Sequence, residues 1–288
     1  MKFTKPFSLI VTAALFCTLT LSAQTSPGKL LLIKGQKIQV DNVIKSVISQ
    51  EMMGQAMEIT IDASLTHQVE VKDKKKDSYL VTSTLTRLTT NGSMMGQEMK
   101  FDSDKKEDLE SQAGQALKDQ LNVSKEVEFN ESAVLINGIK KDTAAGTGGE
   151  MMDIMNDVIG GGNDESNGAN AAFEVIPAGR KVGDTWSDSS INEEIKTYRN
   201  YTLKEINGND ATVVLTGKQV TKKKVEKQGM EISVNIEGTL EGEGIIDLAT
   251  GLVKQKTLVV NGAGNTEMMG QSMPVTTKIT TTTTVKKM

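Results

Sequence analysis

The chain has 288 residues, a formal net charge of −4, one histidine, one cysteine and only 3% aromatic residues. This composition excludes a disulfide scaffold and cysteine or multi-histidine metal sites. It also lacks the concentrated basic charge of a nucleic-acid footprint and the aromatic platforms on which bases stack.

Residues 1–23 read as a secretory signal: Lys2 and Lys5 open it, Phe7 to Leu21 is uncharged and apolar, and Leu21-Ser22-Ala23 offers a small residue at the cut. The run is short for a membrane span, which needs about 20 apolar residues, so no transmembrane segment is expected in the mature chain. Cys17 as a lipidated cysteine is the weaker option, because bulky Phe16 precedes it. Residues 24–288 are then a single exported domain, long enough to bury a core without disulfides.

A first meander opens this domain, with an extended segment over 36–51 and a turn at Gly54-Gln55. Over residues 57–72, Met57, Ile59, Ile61, Ala63, Leu65, His67, Val69 and Val71 alternate with polar residues. A period of two puts the two sets on opposite faces of one very long strand. A charged turn at 73–77 leads to a Thr-rich strand over 79–89, Asn91-Gly92 reads as a hairpin turn, and a fourth strand covers 97–101. Residues 104–120 suit one helix with Leu109, Ala113, Ala116 and Leu117 on a stripe, capped by Asp102 or Ser103. A short hairpin spans 126–139.

Residues 142–172, rich in Gly, Asn, Ala and Ser, read as a flexible insert around one apolar island, 151–159. Asn163, Glu165, Asn167, Gly168 and Glu174 faintly echo a calcium loop, but the first position lacks aspartate. A second meander follows, with strands near 197–206, 211–226, 230–247, 252–266 and 273–286. The fold expected is mainly β: two antiparallel meanders forming a strongly curved sheet or half-open barrel, with one helix and the insert.

Several stretches resemble a family of exported bacterial β-rich proteins of unassigned function. They are Lys34-Gly35-Gln36-Lys37, Phe101-Asp102-Ser103, Pro177 with Val182-Gly183-Asp184-Thr185-Trp186, Tyr201-Thr202-Leu203, and Asp247 with Thr250-Gly251-Leu252. The family tends to have tyrosine where this chain has Phe101. The resemblance implies export and a β-rich fold, and it carries no catalytic residues. Read physically, Val182 to Trp186 is a turn followed by a core anchor.

No nucleophile–base pair or metal constellation is visible, so neither enzyme activity nor a cofactor is expected. His67 falls on the apolar face of its strand and reads as a core or cavity-wall residue. The most distinctive pattern is a repeat at hairpin tips: Met52-Met53-Gly54-Gln55, Met94-Met95-Gly96-Gln97 and Met268-Met269-Gly270-Gln271, with Met230 as a weaker echo. Thioethers are soft ligands for Cu(I), but no His or Cys assists them here. Methionine also builds adaptable apolar surfaces. Turns alternate between the ends of a meander, so the tips at 54 and 94 should share an end, as should those at 229 and 270. Side by side, Met52, Met53, Met94, Met95, Met230, Met268 and Met269 would form a rim, with Met151, Met152 and Met155 folding over it and His67 inside. The function expected is an exported binding protein, non-enzymatic and without cofactor. It would hold an apolar or amphipathic ligand, or an envelope protein partner, on the concave face. The alternative is a structural or surface-interaction protein of the cell envelope.

Overall fold

The unbroken alternation of residues 57–72 becomes a strand of 20 residues, whose buried and open positions also alternate. In the computed structural model, which describes residues 26–52, 55–94, 97–117, 120–137, 168–227, 230–268 and 270–288, it is the second of twelve strands. These are β1 (Lys37–Met52), β2 (Gln55–Lys74), β3 (Ser78–Met94), β4 (Gln97–Asp102), β5 (Ser124–Asn130) and β6 (Leu135–Asn137). They continue as β7 (Thr185–Ile191), β8 (Ile195–Asn207), β9 (Asp210–Lys227), β10 (Met230–Asp247), β11 (Val253–Met268) and β12 (Gln271–Lys287). All belong to one sheet in the order β6-β5-β3-β2-β1-β12-β11-β10-β9-β8-β7, with β4 beside β3. The two meanders are joined because the first strand pairs antiparallel with the last, Ile44 opposite Thr281. The sheet is not closed into a barrel.

It is nevertheless sharply curled. The ring of Phe173 stands edge-on to Phe129 of β5 at 5.2 Å, while its backbone bridges to Leu252 at the foot of β11. β5 and β11 are five strand spacings apart, roughly 24 Å on a flat sheet. Adjacent residues span the same gap: the Leu30 N–H donates to Glu131 O at 2.5 Å and the Leu31 N–H to Thr250 O at 3.0 Å. The Tyr79 hydroxyl donates to Leu30 O at 2.9 Å, and Ser26 Oγ to Ile176 O at 2.7 Å. The segments 26–36 and 168–176 thus seal one end of the sheet, here called the base.

Three clusters fill the inner face. Leu30, Val40, Val69, Tyr79, Phe129 and Phe173 are among those packing at the base. Ile59, Ile61, Leu65, Leu88, Phe101 and Leu117 pack under the segment after β4. Ile176, Tyr201, Leu203, Val213 and Ile246 pack on the second meander.

Five expectations need correction. The helix over 104–120 is two short ones, α1 (Lys106–Glu110) and α2 (Gln112–Leu117). The break is at Ser111, whose extended backbone ends α1 while its Oγ accepts from the Gly114 N–H at 3.1 Å. Neither Asp102 nor Ser103 caps α1: Ser103 Oγ accepts from the Leu88 N–H, and the Asp102 N–H donates to the Asp108 carboxylate. Asn91-Gly92 is no turn, since β3 runs through it with Gly92 paired to Ile61 and Met99. The glycine serves close approach, because a β-carbon there would sit 3.0 Å from Thr60 O. The end of the expected flexible insert is a docked helix, α3 (Gly168–Ala172), with Gly168, Ala169 and Ala172 buried; 138–167 lie outside the described residues. Lastly, Trp186 is not only a core anchor after a turn. It lies on an added edge strand, β7, half-buried and stacked on Tyr201 at 5.4 Å.

Candidate functional site

Register defines what faces inward. On β10, Ile232, Val234, Ile236 and Leu240 share a face; β11 offers Val260 and Leu258 beside them, and β12 offers Met273, Val275 and Ile279. Gly238 and Gly262 pair directly in the middle of this surface, and the side chains of Ile236 and Thr277 lean over Gly262. None of the three clusters includes Ile236, Leu240, Val260, Met273 or Val275. They form an apolar strip, here called the trough, between the base and the opposite, open end; Leu240, Met273 and Val275 in it are buried, and Ile232, Val234, Ile236 and Val260 are half-buried.

All four methionine-bearing turns lie at that open end. Met52 pairs with Gln55, Met94 with Gln97, Met230 with Lys227 and Met268 with Gln271. The strand order places the turns in the sequence β4/β3, β2/β1, β12/β11, β10/β9. The β3–β4 turn is set back, since Met94 lies opposite Ile59 and so level with Ile48 rather than with Met52. Met53, Met95, Met269, Met151, Met152 and Met155 lie outside the described residues, and Met52, Met94 and Met230 are placed only as strand ends. Met268 is half-buried. Three methionines outside the expected set also sit inward toward this end: Met57, Met99 and Met273, the last accepting from Gln50 Nε2 at 3.8 Å.

His67 does point inward and is 6% exposed. Its Nδ1 has no hydrogen-bond partner among the described residues. Burial first, and the charge of Lys125 second, depress its pKa to about 4.

Charge is segregated between the faces. Among the described strand residues, the carboxylates of β1, β2, β10 and β11 all fall on the outer parity, for example Asp41, Glu58, Glu241 and Glu267. Asp188 of β7 is the exception, opposite Arg199 and bonded to it at 3.2 Å. Asp188 also accepts from the Tyr201 hydroxyl at 3.1 Å. Burial, with Glu174 and Asp188 nearby, raises the Tyr201 pKa and keeps the phenol protonated. Glu174, the last position of the calcium-like echo, pairs with inner-face Lys256 at 2.6 Å. These polar groups were invisible in the sequence because they meet only through strand order. Among the described residues no group of three or more His, Cys, Asp or Glu could hold a metal, and no helix is long and apolar enough to cross a membrane.

An open, curled antiparallel sheet with an apolar trough and a sealed base is the class of architecture defined here. The chain belongs to a family of unknown function (DUF6263), whose model matches residues 76–253. No curated protein matches it. Among solved structures it is similar to lipovitellin, described for its lipid–protein interactions, with a TM-score of 0.50 and 11% identity. The match covers 89% of this chain but only 25% of that one, and it speaks to the fold. An outer membrane channel from Pseudomonas putida F1 aligns over 90% of this chain and 98% of its own, at 8% identity and a TM-score of 0.29.

Proposed function

We propose that this is an exported, non-enzymatic protein that holds the aliphatic part of an amphipathic ligand in the trough. The observation that carries this reading is a set of half-buried apolar side chains, among them Ile236 and Val260, on the inner face of a sheet whose base is sealed and whose other end is open. Burying such surface against an aliphatic chain is favourable by about 25 cal/mol per Å². The lipid–protein subject of the lipovitellin structure fits the same chemistry. Export rests on the basic start and apolar run of residues 1–23, which lie outside the described residues. The methionine-bearing turns would frame the entrance, methionine being the apolar side chain that adapts most readily to varied ligand shapes.

The test uses N-phenyl-1-naphthylamine, a neutral apolar fluorophore, with delipidated mature protein. Saturable enhancement is expected, and Val260→Asp should weaken it at least tenfold. Val259→Asp, on the outer parity of the same strand, should leave it unchanged. Absence of saturable binding, or equal effects of the two substitutions, would overturn the reading.

A further inference from the structure

One inward patch is polar without being satisfied. On β2 and β3, His67 lies opposite Leu85 and Val69 opposite Ser83, so Ser83 is the diagonal neighbour of His67, about 7–8 Å away. On the other side Ser83 lies opposite Lys125 of β5. Ser83 is 4% exposed, and neither its Oγ nor His67 Nδ1 has a hydrogen-bond partner among the described residues. Lys125 is half-buried, and no described carboxylate pairs with it. The inner positions around them, Val40, Leu65, Val69, Val81, Leu85 and Val127, carry no charge.

A half-buried ammonium beside two buried polar atoms without partners is costly unless something answers it, because each unmet group has lost its water without gaining a bond. Lys125, half-buried, is the side of the patch nearest solvent. The patch lies at the seam between two covering segments. On one side Leu121 bridges Leu85, and the Asn122 N–H donates to Leu85 O at 2.8 Å. On the other, Gly168 of α3 presses on the imidazole.

We infer that Lys125, Ser83 and His67 form a binding site for an oxyanion, a sulfate, phosphate or carboxylate group, distinct from the apolar trough. Lys125 Nζ supplies the charge, the Ser83 hydroxyl donates, and His67 donates once it takes up a proton. Such charge-assisted bonds are about twice as strong as neutral ones. The anion is either free or the head of an amphipath reaching the seam, and both present the same oxygens.

Because His67 is the only histidine, its imidazole C2–H resonance in the untagged protein reports on this site alone. It would be followed against pH in sodium sulfate, in sodium octyl sulfate below micelle formation, and in sodium chloride of equal ionic strength. An anion at the site should raise the proton affinity of His67 about tenfold, one pKa unit, over chloride. A response to sulfate itself marks a free-ion site, and one to octyl sulfate alone marks a head-group site. Lys125→Met and Ser83→Ala should each abolish the increment. Ser83→Ala removes an unbonded hydroxyl and should fold normally, as amide dispersion in the same spectra would show. Identical titrations in all three salts, or an increment that survives either substitution, would overturn the site. Neither result depends on whether the trough binds naphthylamine.

Discussion

Gly168 lies directly against the imidazole of His67, so that a β-carbon at 168 would fall 2.6 Å from Nδ1. The contact sets how closely α3 can approach β2, and with it how the base is sealed. Gly168→Ala should therefore force α3 off the sheet, costing about 1–3 kcal/mol as overpacking does. Urea unfolding should show a lower midpoint with an unchanged slope.

The same burial makes stability depend on pH. In the folded chain His67 titrates near 4, against about 6.5 when exposed. Between those values the unfolded chain binds a proton that the folded chain does not. The contribution of neutral His67 is therefore fully present above pH 6.5 and is lost as pH falls towards 4. The loss is on the order of 2–3 kcal/mol by pH 4. His67→Leu should flatten this part of the stability–pH curve, measured by chemical denaturation at successive pH values.

Phe173 joins the two halves of the sheet through Phe129 and Leu252. Phe173→Ala should cost about 3–5 kcal/mol, as large-to-small changes in a core do. Hydrogen exchange should accelerate in 168–176 and at the β10–β11 turn together. Acceleration at only one of these places would mean that the Leu30 and Leu31 hydrogen bonds hold the halves together without Phe173.

Ser111 separates α1 from α2 and caps the second helix through Gly114. Ser111→Ala should cost about 1 kcal/mol, the usual worth of such a cap. The effect is read as a lowered thermal midpoint with strand content unchanged.

Much of this was legible in the sequence, for a physical reason. A strand wet on one face must alternate, so β2 declared itself, and the charged run 73–77 marked a true turn between β2 and β3. The alternation of turns also placed each pair of methionine tips at a shared end, while the pairing of β1 with β12 that brings the two pairs together carried no local signal. Asn91-Gly92 misled because its turn propensity lost to strand pairing on both sides. The small residues of 168–172 looked too featureless to order, yet their size is what lets α3 lie on His67. The partners Lys256–Glu174 and Arg199–Asp188–Tyr201 carry no local signal, since each pair meets only in the folded sheet.

A trough that holds an aliphatic ligand should keep it through purification. Native mass spectrometry of the protein purified without detergent from its own host tests this most directly. A discrete mass above that of the chain is expected, released by collisional activation as a species soluble in organic solvent and depleted by Val260→Asp. A population carrying only the mass of the bare chain, in wild type and variant alike, would contradict it.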